Sequence, residues 1–552
     1  MTGPMTILFL MDSPEYLRFY DSAIEELASR GHSVAIAVNS GRARKPVGLE
    51  GLQRYAHQVR VLGVVPQHEG RWAGVGRGLR ATMDFVRFLH PRFAGARALR
   101  ARIKRKVLPR AYHWLDAIPR LSPSLVRGFE RALMALERAV PVCEPMVAWL
   151  RTEAPDVLLV SPLVAAASDQ VDWVKAAQAA GIRTAVCIAS WDNLTNKGLL
   201  RIEPDQVLVW NEAQRREAHE YHYIPAGKIV VTGAQLFDRW FDRRVTRDRA
   251  DFCQHVGLAG DGPFVLFTGS SSFISESAAE VAFVRRWVEA LRASGDPALA
   301  NINVLMRPHP YNCHRWESDP LADVPGVTVF PRTGYSPVDG DNRADFFDSL
   351  FHAAAVVGIN TSAMIEAAIV GRPVLSLLAS EFSGTQEGTI HFHHLLPEHG
   401  GFLRIAANLD EHVAQLGDRL RDPAASRAET ERFVASFIRP HGVDRPATPV
   451  FADAVERLAA RPAPAPRPAP LWAPLLRPVA LALAAPVALV NTLGRSETRN
   501  RLRRRADGAW RRARKSVTRL AGLARGRVVR AAHTTGKRWR RTVMRLRGAG
   551  AR

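Results

Sequence analysis

The sequence of 552 residues predicts an α/β protein with two lobes, each a parallel sheet covered by helices, followed by a basic, partly apolar C-terminal tail. Three observations predict this fold class. Short, continuous apolar runs alternate with helical patterns, which is typical of strands buried on both faces of a parallel sheet. This alternating pattern extends over residues 1–245 and begins again over residues 246–460. From residue 461 onward a proline-rich segment and many arginines replace it.

The first lobe is predicted over residues 1–245. Apolar strands at 6–11 and 33–38 enclose a helical pattern that ends at Gly31, so these segments form a βαβ unit. The N-terminus has no basic region before its short apolar run, which favours a first strand over a signal peptide. Further strands of this lobe are predicted at 59–64, 155–163, 183–190, 206–211 and 228–233.

Residues 71–150 interrupt the first lobe as a basic insertion. Between residues 71 and 110 there are twelve lysines and arginines, and Asp84 is the one acidic residue. Bulky apolar residues are scattered among these cations. Two interpretations remain open: a solvated basic helical face packed on the core, or a surface that faces an acceptor or a membrane.

The second lobe is predicted over residues 246–460 from the same alternation. Two such α/β halves predict two Rossmann-like lobes, with ligands bound outside the C-terminal ends of the strands. The loops that directly follow the strands are therefore the places to look for functional residues. Strands of this lobe are predicted at 263–272, 301–310, 327–331, 354–360 and 372–378, with helices at 276–293, 345–354, 361–370 and 410–421.

The tail, residues 461–552, holds 24 of the 76 Lys/Arg residues but only two of the 53 Asp/Glu residues, so it carries most of the net charge of +23. It begins with an extended Pro/Ala linker at 461–470. The apolar segment 471–493 contains Arg477 and three prolines, and a membrane span, an interfacial segment and a packing arm all remain open for it. Residues 502–523 have the periodicity of a basic amphipathic helix.

Two loops of the second lobe carry groups suited to a phosphate. Gly269 allows close backbone approach, and the hydroxyls of Ser270 and Ser271, with N–H groups at the start of the next helix, suit an anion. A serine-rich helix cap is the alternative interpretation. Further along, two prolines stiffen the loop that holds Arg307 and His309. Arginine can pair with a phosphate through two hydrogen bonds, and histidine can donate to a leaving oxygen.

A third loop, Asn360-Thr361-Ser362, opens a helix that carries Glu366. An N-cap role explains Thr361 or Ser362 by itself. Alternatively, free N–H groups at this helix start bind phosphate, and the carboxylate of Glu366 accepts hydrogen bonds from both hydroxyls of a ribose.

The segments TGSSS, RPHP and GINTSAMIEAAIVGRPVLSL together resemble the nucleotide-binding lobe of GT-B-fold glycosyltransferases. They are most similar to the branch with a His-Pro loop and a later Ser/Thr loop. That branch includes bacterial sialyl- and Kdo-type transferases, capsule-polysaccharide enzymes and CDP-glycerol glycerophosphotransferases. The resemblance covers about residues 1–460. It implies that His309, Thr361 and Ser362 contact the donor phosphate and that Glu366 holds the ribose.

The first lobe should then supply the acceptor site and a general base. Asp192 and Asp12 each follow a predicted strand, and either could take the proton of an acceptor hydroxyl or simply make a cap or turn. Gln386 and Glu387 lie in the segment 383–394, which we interpret as a loop that closes over the donor. Its histidines have no carboxylate or cysteine partner at a familiar ligand spacing, so no metal site and no cofactor besides the donor is predicted.

The leading hypothesis is a metal-independent glycosyltransferase that moves a sugar or polyol phosphate from a nucleotide-activated donor to a surface-glycan or lipid-linked acceptor. Residues 471–547 are expected to bind an anionic membrane, which places the protein in the cytoplasm at the inner face of the plasma membrane. Four separated cysteines without a CxxC pair exclude a disulfide scaffold and fit a reducing compartment.

Two other functions stay open. A UDP-sugar 2-epimerase-like enzyme would share the fold, although the first lobe has no HTGQH-like stretch. A membrane- or nucleic-acid-binding scaffold with a degenerate transferase lobe would use the tail alone. Nucleic acid is disfavoured because the arginines adjoin an apolar segment interrupted by prolines, which suits the boundary of a bilayer better.

Overall fold

Two parallel sheets organise the chain, as the sequence predicts. The computed structural model describes residues 3–38, 50–333, 340–487 and 490. The strands of the first sheet are β1 Thr6–Met11, β2 Ser33–Val38, β3 Val59–Val64, β4 Val157–Ser161, β5 Arg183–Cys187, β6 Gln206–Val209 and β7 Ile229–Val231. Their spatial order is β3-β2-β1-β4-β5-β6-β7. This is the doubly wound order in which the ligand crevice lies between β1 and β4, where the strand order reverses.

The second sheet repeats this topology. Its strands are β8 Phe264–Thr268, β9 Asn303–Arg307, β10 Val327–Val329, β11 Ala355–Gly358, β12 Val374–Leu377 and β13 Arg404–Ala406. Their order is β10-β9-β8-β11-β12-β13, so the crevice of this sheet lies between β8 and β11. The prediction of two Rossmann-like α/β lobes is confirmed. β13 was not predicted, because Arg404 and the residues around it form no continuous apolar run, unlike the equally short edge strands β7 and β10.

Helices cover both sheets. Those of the first lobe are α1 Asp21–Ser29, α2 Arg71–Val86, α3 Arg97–Lys106, α4 Pro123–Ala139, α5 Glu144–Glu153, α6 Gln170–Ala180, α7 Asn193–Asn196 and α8 Glu212–His222. Those that follow are α9 Asp238–Asp242, α10 Arg249–Val256, α11 Ser277–Arg292, α12 Pro297–Ala300, α13 Gly340–His352, α14 Ala363–Ile369, α15 Leu409–Arg421, α16 Arg427–Phe433 and α17 Ala447–Ala459.

The central strands explain why the apolar runs are continuous rather than alternating. Every residue of β4 and of β8 is buried, because helices cover both faces of the sheet. Leu158 faces one core of the first lobe and Leu159 the other. Each such side chain contributes roughly 1.5–3 kcal/mol on burial, so the sheet centres supply much of the stability that holds the strand ends in place.

The last helix of the second predicted lobe returns to the first. Phe451, Val455 and Leu458 of α17 share a core with Phe9 and Ile24. Residues 447–459 therefore pack on the first sheet, although their place in the chain suggested the second lobe. An apolar helical face does not indicate which sheet it covers, so chain order alone could not assign α17.

The basic insertion is partly an internal structure. Arg80 is buried and donates hydrogen bonds to Glu137 at 2.9 Å and to Asp172 at 2.6 Å. Arg102 of α3 extends to the second lobe, where its guanidinium lies 4.3 Å from the ring centroid of Phe273. Some of the insertion's cations thus fix helices to the core, and α3 contacts both lobes.

The start of the tail follows the first lobe. The backbone N–H of Arg467 donates to the carbonyl of Gln178 at 2.8 Å, which holds the extended linker against α6. Residues 473–487 are helical, and residues 473–484 of this helix are called here the apolar helix. Within the described ranges no helix combines the length and the hydropathy needed to cross a membrane. The predicted amphipathic helix at 502–523 lies outside the described residues.

Candidate functional site

A cavity of about 260 Å³ lies between the two lobes, at the C-terminal ends of their strands. Loops from both sheets form its walls, as expected where the strand order of each sheet reverses. We call it the donor cleft. Of the residues that the sequence predicts for donor binding, six line it: Gly269, Arg307, His309, Thr361, Ser362 and Glu366.

Gly269 brings two of these loops together. Its N–H donates to the carbonyl of Arg307 at 2.8 Å, and a Cβ at this position would lie 2.7 Å from the nitrogen of His309. Such a separation is shorter than real Cβ contacts allow. The sequence predicts that a phosphate approaches Gly269 closely. In this structure the Arg-Pro-His-Pro loop makes that close approach instead.

Arg307 lies at the end of β9 with its side chain buried in the cleft wall. It donates a hydrogen bond to the hydroxyl of Ser349 at 3.0 Å, and its guanidinium lies 5.2 Å from the ring centroid of Phe346. Burial lowers the pKa of Arg307 to about 10, so the group stays charged at neutral pH. The cleft therefore contains a fixed positive charge.

His309 is a neutral hydrogen-bond donor. Burial, with a smaller effect from the nearby cation of Arg18, lowers the pKa of His309 to about 4. The N–H of Tyr311 donates to Nδ1 of His309 at 3.2 Å. Because Nδ1 accepts a hydrogen bond, the single proton of the neutral ring lies on Nε2. Nε2–H can therefore donate to an oxygen in the cleft.

Glu366 lines the same cleft from α14. Burial raises its pKa to about 8, although the cations of Arg18 and Arg243 oppose this effect. At neutral pH and without a ligand the carboxyl is therefore protonated, and it can both donate to and accept from neighbouring hydroxyls. Ser362 precedes α14 and makes no side-chain capping bond, so its hydroxyl is not used by the helix.

The other predicted donor residues lie outside the lining of the cleft. Ser270 is buried, and its N–H donates to Glu280 at 2.6 Å. The carbonyl of Ser271 accepts from the N–H of Ile274, which makes a local turn. Helix α11 begins only at Ser277, so its first N–H groups are not beside these serines.

The segment 383–394, predicted to close over the donor, is instead hydrogen-bonded to the C-terminal ends of two strands of its own sheet. Gln386 is buried and donates to the carbonyls of Ile359 at 3.1 Å and Leu377 at 3.0 Å. Asn360 donates to the carbonyl of Thr385 at 2.8 Å. Glu387 is exposed. Gln386 and Asn360 thus use their amide groups to fix the loops around β11 and β12.

The two candidate bases lie on the first-lobe side. Asp192 precedes α7 and accepts hydrogen bonds from the amides of Asn193 and Asn196, each at 3.2 Å. Burial would raise its pKa, but the charge of Lys197 and the hydrogen bonds to the carboxylate outweigh burial and lower the pKa to about 2. Such a weakly basic carboxylate is a poor proton acceptor.

Asp12 directly follows β1, at the point where the strand order of the first sheet reverses. Its N–H donates to the carbonyl of Ser161 at 3.0 Å. Neither Asp12 nor Asp192 lines the donor cleft, although Ser190 and Trp191 do. Tyr16 lies near both aspartates. Burial raises its pKa, and the negative charges of Asp12 and Asp192 raise it further.

Sequence reasoning missed the arginines that face the donor loops. Arg18, Arg239, Arg243 and Arg343 also line the cleft. Arg239 is paired with Asp21 at 2.8 Å, whereas Arg18 and Arg243 lie close enough to Glu366 to influence its pKa. The dense run Asp-Arg-Trp-Phe-Asp-Arg-Arg at 238–244, in the segment that joins the lobes, was the available signal.

Metal ligands do not cluster in the part of the chain that the structure describes: no group of three or more His, Cys, Asp or Glu side chains there is arranged to hold an ion. The cations of the cleft are arginines. Their planar guanidinium groups can bind phosphate oxygens through paired hydrogen bonds.

No protein-family model matches the chain, and no curated protein matches it either. Several solved structures are similar at low identity. A glycosyltransferase from Rickettsia africae ESF-5 has a TM-score of 0.47 at 11% identity, over 84% of this chain and 100% of the other. A UDP-GlcNAc 2-epimerase from Neisseria meningitidis, bound to UDP-GlcNAc, has a TM-score of 0.45 at 10% identity, over 82% and 100%.

The glycosyltransferase of kitacinnamycin is similar in the same way, with a TM-score of 0.46 at 14% identity, over 83% of this chain and 100% of the other. The TM-scores and identities of these two glycosyltransferases and of the 2-epimerase are thus nearly equal. At TM-scores below 0.5 these similarities do not choose between the two reactions. That choice depends on the cleft and its loops.

Proposed function

We propose that the protein is a glycosyltransferase that takes a sugar, or a polyol phosphate, from a nucleotide-activated donor bound in the donor cleft. The observation that carries this proposal is the pairing of a neutral Nε2–H donor on His309 with the arginines of the cleft wall. These groups suit a diphosphate that gains negative charge as it leaves. Glu366, protonated at neutral pH, supports it because a carboxyl group can bind a ribose diol.

In the proposed reaction for a sugar donor, an acceptor hydroxyl oxygen attacks the anomeric carbon and forms the new C–O bond. The bond from that carbon to the phosphate oxygen breaks, and its electron pair stays on the phosphate. His309 donates a hydrogen bond to the leaving phosphate, and Arg307 stabilises its charge from behind. The proton of the acceptor hydroxyl passes to a carboxylate of the first lobe.

Asp12 and Asp192 remain the two proposed bases. The hydrogen bonds from Asn193 and Asn196 and the lowered pKa count against Asp192. If Asp12 is the base, Asp12→Asn should lower kcat by about 10²–10⁴-fold and Asp192→Asn much less. The reverse ranking would assign the base to Asp192. Similar modest losses in both variants would contradict a carboxylate base in this region.

The finer parts of the proposal concern the partners. We propose a surface-glycan or lipid-linked acceptor, a metal-independent reaction, and work at the cytoplasmic face of the membrane through residues 471–547. Support comes from the 24 Lys/Arg residues of the tail beside an apolar segment. Activity that survives EDTA and does not increase with added Mg²⁺ or Mn²⁺ would support metal independence.

Calorimetry and thermal unfolding of the full chain with UDP, CDP, CMP, GDP and ADP test the donor site. We expect one nucleotide to raise Tm and His309→Ala or Glu366→Ala to weaken its binding at least tenfold. A folded protein that binds none of the five would overturn the proposal and favour the scaffold alternative. Conversion of a nucleotide sugar to its 2-epimer without an acceptor would instead assign an epimerase.

A further inference from the structure

The apolar helix, residues 473–484, has one face packed on the insertion. Ala480 is fully buried in a cluster with residues of α2 and α4, among them Leu79 and Leu136. Arg477, the one charged residue of this helix, donates from Nε to the carbonyl of Ala139 at 3.1 Å. These contacts fix the orientation of the helix on the folded lobe.

The opposite face of this helix is apolar and uncovered. Leu475, Val479 and Leu483 follow one another at four-residue spacing, so they share one side, and they are 77%, 47% and 42% exposed. Leu471 continues the same row and is 99% exposed. Proline and alanine occupy the other exposed positions between 473 and 484. Folding thus leaves a continuous apolar row in contact with solvent.

Cations lie beside this row. Trp472, half-exposed, lines a cavity of about 760 Å³ together with Arg127, Arg131 and Arg138 of α4. All three arginines are exposed. The cavity wall also contains two acids, Glu220 and Glu203, of which Glu203 is paired with Lys228, against five arginines. The guanidinium groups therefore give this rim a positive character.

The insertion adds further exposed apolar groups. Leu125 and Phe129 lie four residues apart on α4 and are 55% and 52% exposed. Leu136, which the apolar helix covers, belongs to the same helical side. Trp114 is 62% exposed and lies two residues from Tyr112, whose hydroxyl donates to the carbonyl of Leu483.

From these observations we infer that the folded lobe has a docking face for an anionic lipid bilayer. The docking face consists of Leu471, Trp472, Leu475, Val479 and Leu483 with the arginine rim Arg127, Arg131 and Arg138. The leucines and valine enter the apolar boundary of the bilayer, while the arginines bind lipid phosphates. Apolar residues beside arginine and tryptophan are the pattern of an interfacial helix.

Charge favours a bilayer over a protein partner. The chain beyond the docking face is rich in arginine. Residues 461–552 contain 24 Lys/Arg residues and only two Asp/Glu residues. Each Lys/Arg close to an anionic surface strengthens binding about fivefold. The inference locates the membrane contact that the proposed function assumes, but it needs no nucleotide donor.

The test is flotation of the full chain with vesicles of phosphatidylcholine and phosphatidylglycerol, in 0.1 M and in 1 M NaCl. At 1 M the Debye length is about 3 Å, so the contribution of exposed tail charges is largely screened. We expect Leu475→Asp/Val479→Asp to lower vesicle binding at least tenfold at 1 M. The matched pair Val61→Asp/Val443→Asp, at residues 52% and 39% exposed elsewhere, should change it less than twofold.

The rim is tested at 0.1 M NaCl. Arg131→Glu/Arg138→Glu should lower binding to anionic vesicles at least tenfold and binding to pure phosphatidylcholine less than twofold. Arg432→Glu/Arg457→Glu, exposed arginines on other helices, is the control. Unchanged binding of the apolar variant at 1 M, or equal losses in variants and controls, would overturn the inference.

Nucleotide binding, measured on the same variants, separates the two proposals. We expect all four variants to keep the Tm of the parent, which shows that they fold, and to keep a nucleotide affinity within twofold of the parent. Vesicle binding without nucleotide binding would overturn the proposed function and leave the docking face. Nucleotide binding by a parent chain that floats with no vesicle would do the opposite.

Discussion

The two walls of the cleft differ in how their loops use polar side chains. On the second-lobe side, the local backbone binds only Nδ1 of His309, which leaves Nε2–H open to the cleft, and the hydroxyl of Ser362 makes no capping bond. On the first-lobe side, just outside the lining of the cleft, Asp192 also follows a strand, but its carboxylate binds the amides of Asn193 and Asn196. The same position at a strand end thus leaves a polar group open to the cleft in one lobe and uses it for a local turn in the other.

This difference has a physical cause. The end of a parallel strand fixes where the backbone lies, whereas the direction of a polar side chain depends on which nearby group satisfies it. Short loops stiffened by proline, such as Arg307 to Pro310, offer few local partners. The carboxylate of Asp192, at a helix start, makes no bond to the backbone N–H groups, but it has two side-chain amide donors within one turn and binds both.

The largest effect should come from His309. His309→Ala removes the Nε2–H donor, and we expect kcat to fall by about 10²–10³-fold with little change in Tm, as for the loss of other charge-stabilising donors. Turnover of the nucleotide-activated donor is the measurement, with the exposed His314→Ala as control. A fall below threefold would show that the donor wall does not stabilise the leaving group.

Gly269 tests whether the donor loops act as one unit. Gly269→Ala places a Cβ 2.7 Å from the nitrogen of His309, so one loop must move. We expect a loss of about 1–3 kcal/mol in the free energy of unfolding and weaker nucleotide binding. Gly262→Ala, which has no atom within 4 Å of the new Cβ, should change neither. Equal denaturation midpoints for the two variants would contradict the close contact.

The pH dependence of stability tests the role of Glu280, whose carboxyl group accepts a hydrogen bond from the N–H of Ser270. Burial raises its pKa from 4.5 to about 8, so the folded chain keeps a proton that the unfolded chain has lost. Stability contributed by this group is therefore lost as pH rises from about 4.5 to 8. Glu280→Gln should reduce the fall in unfolding free energy between pH 5 and pH 9 by about 3–4 kcal/mol.

Urea unfolding of the parent and of Glu280→Gln at both pH values is the measurement. The exposed Glu289→Gln on the same helix should leave the pH dependence unchanged. An identical pH dependence in all three proteins would show that Glu280 is ionised in the folded chain and would remove it as a neutral support for Ser270.

The smallest expected effect concerns Ser362, whose hydroxyl either binds a ligand or caps α14. Because Ser362 makes no capping bond, Ser362→Ala should change the unfolding free energy by less than about 0.5 kcal/mol. If its hydroxyl binds the donor phosphate, nucleotide affinity should fall by about threefold to tenfold, as for one hydrogen bond. Calorimetry beside urea unfolding distinguishes the roles, and a stability loss near 1 kcal/mol would favour the cap.

The sequence by itself determined the two α/β lobes, because apolar runs that are continuous over five or six residues have few stable arrangements other than a buried parallel sheet. It also determined which donor-lobe loops reach the cleft, since residues directly after parallel strands share one edge. Gly269, Arg307, His309, Thr361, Ser362 and Glu366 were placed together on that basis.

Only the tertiary structure decided the rest. It assigned α17 to the first sheet and buried Arg80 within the basic insertion. It turned Asp192 and Gln386 toward local partners, and it brought Arg18 and Arg243 to the cleft from distant parts of the chain. Sequence patterns report the average environment of a segment, but the partner that satisfies a polar side chain is chosen by three-dimensional packing.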